Sequence, residues 1–211
     1  MNDSGSKEER LTLELLDAIE RRGDVSQRHL AGQMGVALGL ANSYLRRCAK
    51  KGLVKIREAP ANRYFYYLTP KGFAEKARLT ARFLSNSLSF YRQASESFNA
   101  LYAECEQKSW TRLLLCGLSD LAEIALLRAL ESPLEVLAVY DRHSQLQVYS
   151  GRPVYRDLVR CPGVDAYIIT GLNDPIDTWR ETCAFARDER RVLLPEVLGI
   201  DGKKLASASS K

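Results

Sequence analysis

Histidine, cysteine and long apolar runs are all scarce in this chain, and each scarcity excludes something. Its 211 residues include two histidines, His29 and His143, and five cysteines, Cys48, Cys105, Cys116, Cys161 and Cys183. The cysteines are odd in number, scattered, and never form C-x-x-C, which argues against a disulfide framework and against a four-ligand zinc site. No metal is expected. No apolar stretch approaches the roughly 18–20 residues that span a bilayer, so no membrane partner is expected either. The opening Met1-Asn2-Asp3-Ser4-Gly5-Ser6 has no basic n-region and no apolar h-region, and the expected location is the reducing cytoplasm. With 45% apolar and 27% charged residues, the chain has a folded composition, long enough for one medium domain or two small ones.

Acidic residues are scarce in one segment only. Over residues 28–71, nine Lys/Arg stand against the single acid Glu58, a net charge of +8 in 44 residues. From residue 111 onward, 13 basic residues meet 14 acidic ones. Such asymmetry suggests that one part meets a polyanion while the other does something else. A solvated basic face would give the same count, so motifs must decide.

Residues 7–22 read as an amphipathic helix with Leu11, Leu15, Leu16 and Ile19 on one stripe. Gly23 would end it in the left-handed conformation, and Asp24-Val25 would lead out. Ser26 is the expected N-cap of a second, short helix over residues 27–34. Gly35 takes a turn, and a third helix runs to Lys51 and closes at Gly52. Two short helices joined at a glycine are the helix-turn-helix signature. Leu30, Ala31, Met34, Val36, Ala41, Tyr44 and Leu45 would pack inward. Leu38, Gly39, Asn42, Ser43 and Arg46 would point out, on the face that enters a major groove. After Gly52 the period switches to two: residues 53–57 and 64–68 alternate, with Pro60 and Asn62 in the turn between them. This hairpin reads as a wing, its Lys55, Arg57 and Arg63 reaching phosphates or the minor groove.

Leu30-Ala31, Gly35-Val36, Tyr44-Leu45-Arg46-Arg47 and Lys51-Gly52-Leu53-Val54-Lys55 resemble winged-helix regulators of the multiple-antibiotic-resistance (MarR) type. Leu38-Gly39-Leu40-Ala41-Asn42, Tyr67-Leu68-Thr69-Pro70-Lys71-Gly72 and the run over 75–84 resemble the branch associated with exopolysaccharide gene clusters. The resemblance covers roughly residues 8–95 and implies binding of double-stranded operator DNA. One departure is Ala37, which stands where that family usually has a capping Ser or Thr. A lost cap costs about 0.5–2 kcal/mol.

Thr69-Pro70 opens a long helix expected to reach about Lys108. Phe73, Ala77, Thr80, Leu84, Leu88, Tyr91, Ser95, Phe98, Tyr102 and Cys105 recur along it at spacings of three and four, a heptad-like seam. The simplest partner for this seam is a second copy of the chain, and paired recognition helices would then read two half-sites. The alternative is that the helix lies on its own C-terminal domain.

The C-terminal half alternates strand and helix patterns. Strands are expected over 111–116, 134–140, 164–170 and 191–194, and helices over 121–131, 155–160 and 175–187, which argues for a small parallel α/β sheet of Rossmann-like layout. In its first turn, Gly117-x-Ser119-x-x-Ala122 keeps two small positions of a dinucleotide fingerprint and replaces the middle glycine. Asp141 stands 24 residues after Gly117, where the ribose-binding acid belongs. The candidate ligand contacts are Gly117, Leu118, Ser119, Asp141, Arg142, Thr170 and Gly171, and the candidate effector is a nucleotide or nucleotide sugar. A purely structural module is the other reading. Catalysis is hard to assemble: the turn lacks a nucleophile elbow's closing glycine, and His143 has no evident acid partner. Asp174 and Asp177 are expected to cap the last helix, and Cys116 is either a packed thiol or a redox sensor.

The fold class expected is an α+β winged helix-turn-helix (7–69), a long connecting and dimerisation helix (70–108), and a small α/β Rossmann-like domain (110–200). A polar tail (203–211) follows. The function expected is that of a homodimeric transcriptional regulator, not an enzyme, with Arg28, Arg47, Lys50, Lys55, Arg57, Arg63 and Lys71 on phosphates. Asn42 suits adenine, Arg46 suits guanine, and Leu38 and Leu40 suit thymine methyls. Rival readings are a nucleotide-sugar or NAD-linked enzyme with a basic docking module, and an interaction scaffold.

Overall fold

The computed structural model describes residues 3–22, 26–59 and 63–202, and its contacts divide the chain into two units, Met1–Leu88 and Ser89–Lys211. The expectations for Gly23, Asp24, Val25, Pro60, Asn62 and the 203–211 tail fall outside the described residues.

The first unit is a winged helix-turn-helix. Helix α1 (Asp3–Arg21) buries Leu11, Leu15, Leu16 and Ile19. Helix α2 (Gln27–Gln33) begins where Ser26 Oγ accepts a hydrogen bond from the His29 amide (3.2 Å), satisfying one orphan donor of its first turn. Gly35, at φ +60°, turns the chain into α3 (Leu38–Lys50), which buries Ala41, Leu45 and Cys48. Ala37 supplies no side-chain cap to α3. Strands β1 (Val54–Ala59) and β2 (Arg63–Leu68) pair antiparallel as the wing. Thr69 pins its root: the hydroxyl donates to the Gly52 carbonyl (2.6 Å) and accepts from the Gly72 amide (3.0 Å).

That amide lies in the first turn of α4 (Pro70–Gln107), 38 residues long. Within the first unit, Lys76 pairs with Asp17 (2.8 Å) and Glu20, and Arg82 with Glu9 (2.6 Å), tying the start of α4 to α1.

The second unit is a three-layer α/β fold. Strands β3 (Arg112–Cys116), β4 (Glu135–Tyr140), β5 (Val148–Tyr149), β6 (Arg152–Tyr155), β7 (Ala166–Ile169) and β8 (Val192–Leu193) form one sheet in the order β5-β6-β4-β3-β7-β8. All neighbours are parallel except β5 with β6. The parallel strands therefore run third-second-first-fourth-fifth, the order of a doubly wound Rossmann sheet. Helices α5 (Asp120–Ala129) and α6 (Pro175–Ala186) make the longer crossovers. Because side chains alternate along a strand, Leu113 and Leu115 of β3 join one core with α5, while Leu114 and Cys116 join another with Trp179 of α6.

Two expectations need correction. The sheet is mixed, because a hairpin precedes the position where a helix over 155–160 was expected. Ser150 (φ 45°) and Gly151 (φ 78°) are both left-handed, as a type I′ hairpin turn requires, and only a short 3-10 turn (Leu158–Arg160) follows. The apolar seam of α4 is also split. Ala94, Phe98, Tyr102 and Cys105 are buried in the core shared with α5, and Tyr102 donates to the Ala125 carbonyl (2.7 Å). The C-terminal part of α4 is thus a layer of its own α/β unit, while Phe73, Leu84, Leu88 and Tyr91 stay exposed.

Candidate functional site

On α3 the outward residues form one helical face. Leu38 and Leu40 are about two-fifths exposed, and Gly39, Ser43, Arg46 and Lys50 are exposed with them. Arg28 is exposed on α2, and Lys55 and Arg57 on the wing. Among the described residues, Arg28, Arg46, Lys50, Lys55 and Arg57 form no ion pair, so their charges are free for an external anion. Arg63 opens β2, but its side chain lies outside the described set.

Two candidates are engaged. Arg47 pairs with Glu8 of α1, and its guanidinium lies 5.8 Å from the Tyr44 ring centroid. A phosphate must displace that carboxylate to reach it. Lys71 donates to the Lys51 carbonyl (3.0 Å). Asn42 is half-buried, with its amide oxygen enclosed and lacking a hydrogen-bond partner. Bidentate pairing with adenine needs both amide atoms, so this side chain must turn before it can read that base. The Glu8–Arg47 pair was not read from the sequence, since its members are 39 positions apart and no local pattern marks such a contact.

In the α/β unit, Gly117, Leu118, Tyr140, Asp141, Arg142, His143, Gly171, Asn173 and Glu181 help to line a crevice of about 360 Å³ at the C-terminal ends of β3, β4 and β7. Open α/β sheets place ligands at such a position. Of the seven expected ligand residues, five line it. The other two hold its rim together: Ser119 Oγ donates to the Thr170 carbonyl (2.5 Å), and Thr170 Oγ1 donates to the Gly117 carbonyl (2.6 Å).

The polar groups of this crevice are largely satisfied by one another. Asp141 accepts from the Leu118 amide (2.8 Å) through one oxygen and from the His143 and Ser144 amides (2.9 Å each) through the other. It therefore occupies the first backbone donor of the turn where a phosphate would sit. Asp120 and Glu123 add two acids to the first turn of α5, which also opposes an anion there. Gly117 is at φ +104°, and a Cβ on it would lie 2.3 Å from the Gly171 Cα. Its glycine is demanded by the close approach of two loops. Glu181 accepts from the Tyr140 hydroxyl (2.7 Å) and pairs with Arg142 (3.4 Å); burial and this carboxylate both push the Tyr140 phenol upward, so it stays protonated.

Other expectations resolve simply. Asp174 stands at the N-cap of α6 without a side-chain cap bond, and Asp177 pairs with Arg180 (3.3 Å), so neither carboxylate caps by hydrogen bonding. Cys116 is fully buried and desolvation pushes its thiol up, which is the packed-thiol reading and not the sensor. Among the described residues no group of three His, Cys, Asp or Glu could hold a metal ion, and no helix is long and apolar enough to cross a membrane.

This fold and exposed face define a winged helix-turn-helix DNA-binding domain. Residues 8–55 match the winged helix-turn-helix DNA-binding family, a match that identifies the domain and not the whole chain. Among solved structures the chain is similar to the PcaV transcriptional regulator from Streptomyces coelicolor (18% identity, 46% of this chain and 71% of that one, TM-score 0.37). It is similar to MepR, a transcription regulator of a Staphylococcus aureus multidrug efflux pump (22%, 48% and 75%, TM-score 0.37). A third likeness is to NcsB1, an O-methyltransferase from neocarzinostatin biosynthesis (14%, 99% and 91%, TM-score 0.38). No curated protein matches the sequence.

Proposed function

We propose that the chain is a homodimeric transcriptional regulator of the MarR type, acting in the cytoplasm on duplex operator DNA and carrying an effector-binding α/β domain. Its domains on this reading are 7–69 for DNA, 70–108 for connection, with dimerisation on its exposed N-terminal part, and 110–200 for the effector. The carrying observation is the α3 face, where Arg46 and Lys50 are exposed and unpaired beside Leu38, Gly39 and Ser43. Arg46 reads guanine there, Asn42 contributes once its amide turns, and Arg28, Arg47, Lys50, Lys55, Arg57 and Arg63 serve phosphates. Phe73, Leu84 and Leu88 of α4, all about half exposed or more, support a second copy as the partner.

The effector is a small polar molecule held over Gly117, Leu118, Asp141, Arg142 and Gly171. A nucleotide or nucleotide sugar fits if its phosphate displaces Asp141 from the Leu118 amide. The chain acts by binding and not by turnover, a reading supported by two acids of the crevice, Asp141 and Glu181, being spent on backbone amides, a tyrosine and an arginine. The branch resemblance makes polysaccharide genes the first targets to test.

Anisotropy titration with promoter fragments tests the reading. Arg46→Ala should weaken specific binding by about 1–3 kcal/mol and relax base preference at one position. Wild-type protein that ignores duplex DNA even at low salt would overturn the proposal.

A further inference from the structure

The outer face of the wing carries an aromatic pair that duplex recognition does not use, beside two cations that it does. In the β1–β2 register Lys55 stands opposite Tyr67, and Arg57 opposite Phe65. Directly opposed residues share a face, so these four lie together. The other face holds Val54 and Tyr66, both buried in the core of the first unit. The Lys55 face is turned to solvent: Lys55, Arg57 and Tyr67 are exposed and Phe65 is half-buried. Phe65 and Tyr67 form a near-parallel pair, with centroids 6.4 Å apart and planes inclined by 24°. Neither Lys55 nor Arg57 forms an ion pair among the described residues.

Two adjacent rings on an exposed strand, each beside a free cation, have a specific physical use. A ring stacks on any unpaired base, because every base has a π-face, while the cation neutralises the phosphate next to it. Aromatic residues two positions apart on a strand are also how sheet-based RNA-binding modules present stacking rings. A base-paired duplex offers no free base face to such a platform. An acidic protein segment would satisfy the cations alone, leaving the paired rings without a matching partner.

We infer that the Lys55–Arg57–Phe65–Tyr67 face of the wing is a binding site for single-stranded nucleic acid, taking two adjacent unpaired bases on its rings. The site is separate from the α3 face and does not depend on the effector crevice.

The test uses the full chain, fluorescein-labelled oligothymidylate and a duplex of random sequence, titrated by anisotropy at low salt. Wild-type protein should bind both. Phe65→Leu with Tyr67→Leu should weaken oligothymidylate binding about 5- to 140-fold per ring lost, with duplex binding unchanged. Because Phe65 is half-buried, a thermal melt accompanies the double variant, and exposed Tyr67→Leu alone must still show the selective loss. Arg46→Ala should do the reverse, weakening duplex more than single strand. Oligothymidylate binding that is absent, or that survives loss of the rings, overturns the inference; so does a change of oligomeric state in Tyr67→Leu, which would make this face a contact between copies. Binding of single strand without duplex would instead sink the regulator reading and leave this site standing.

Discussion

Glu8→Gln asks whether the fold holds Arg47 back from DNA. In the free protein the Glu8 carboxylate pairs with Arg47 between α1 and α3, and the guanidinium also meets the Tyr44 ring. Binding a phosphate exchanges one anion for another, so the intramolecular pair must break first. The two side chains are 44% and 40% exposed, which makes this a screened surface pair. Such pairs contribute about 0.2–1 kcal/mol. Removing the competing carboxylate should therefore tighten duplex binding about 1.4- to 5-fold. The assay is anisotropy with a fixed random-sequence duplex over a salt series. Arg47→Ala should weaken binding and flatten the slope of log K against log salt by about 0.9. Glu8→Gln should then have no effect in the Arg47→Ala background, since the two act through one contact. Weaker binding by Glu8→Gln would mean that the carboxylate positions Arg47, and an effect that persists without Arg47 would mean that Glu8 acts elsewhere.

Three further outcomes follow from single contacts. Tyr102→Phe removes the hydroxyl that donates to the Ala125 carbonyl, which keeps its partner within α5, and should cost about 0.5–1.5 kcal/mol in denaturant titration; a loss well above that range would mean that the hydroxyl does more than make this one bond. Gly117→Ala places a Cβ against the Gly171 backbone at a positive φ, and should destabilise the α/β unit by about 2–4 kcal/mol in a thermal or denaturant melt. Wild-type stability there would show that the two loops separate easily. Asp165 accepts from the Arg112 and Thr111 amides (2.9 Å each), and these bonds hold its carboxyl below the usual range. Its stabilisation is complete above the unfolded value near 3.9 and is lost as pH falls through the lower folded value, so the gap between wild type and Asp165→Asn should close across that acid window. A gap that persists at lower pH would show that ionisation is not its source.

The parts that were legible in the sequence are those fixed by local chemistry. Ser26 announces a helix start and Gly35 a tight turn, each acting within a few residues of itself, and Leu30, Ala31 and Leu45 mark the contact between α2 and α3 across about 15. The length of α4 was also legible, because no breaker interrupts it. The cover for its apolar stripe was not. Leu84 and Leu88 fall in the same period as Phe98 and Tyr102, yet the second pair is buried under α5 and the first is exposed. Periodicity states that a stripe wants cover, and only tertiary packing says what supplies it. The β5–β6 hairpin had its signal in Ser150-Gly151, but its strands are short and one contains Pro153, so strand propensity could not reveal it.

The crevice shows how one residue pattern supports two physical explanations. Gly117 and Asp141 stand where a dinucleotide-binding turn would place a close-approach glycine and a ribose-binding acid. In the structure, Gly117 is a glycine because Gly171 fills the space a Cβ would need, and Ser119 replaces the middle glycine because its hydroxyl ties this turn to Thr170. Asp141 is an acid because three backbone amides converge on it. Each residue is thus required by the fold before any ligand arrives. An incoming phosphate would have to take the Leu118 amide from Asp141 and sit near Asp120 and Glu123, paying electrostatically at both steps. Arg142, half exposed, paired with Glu181 at 3.4 Å and donating from Nε to His143 Nε2 at 3.0 Å, is the cation best placed to offset that cost. On the effector-binding proposal, ligand selectivity in this unit would turn on whether a candidate engages Arg142 strongly enough to release Asp141.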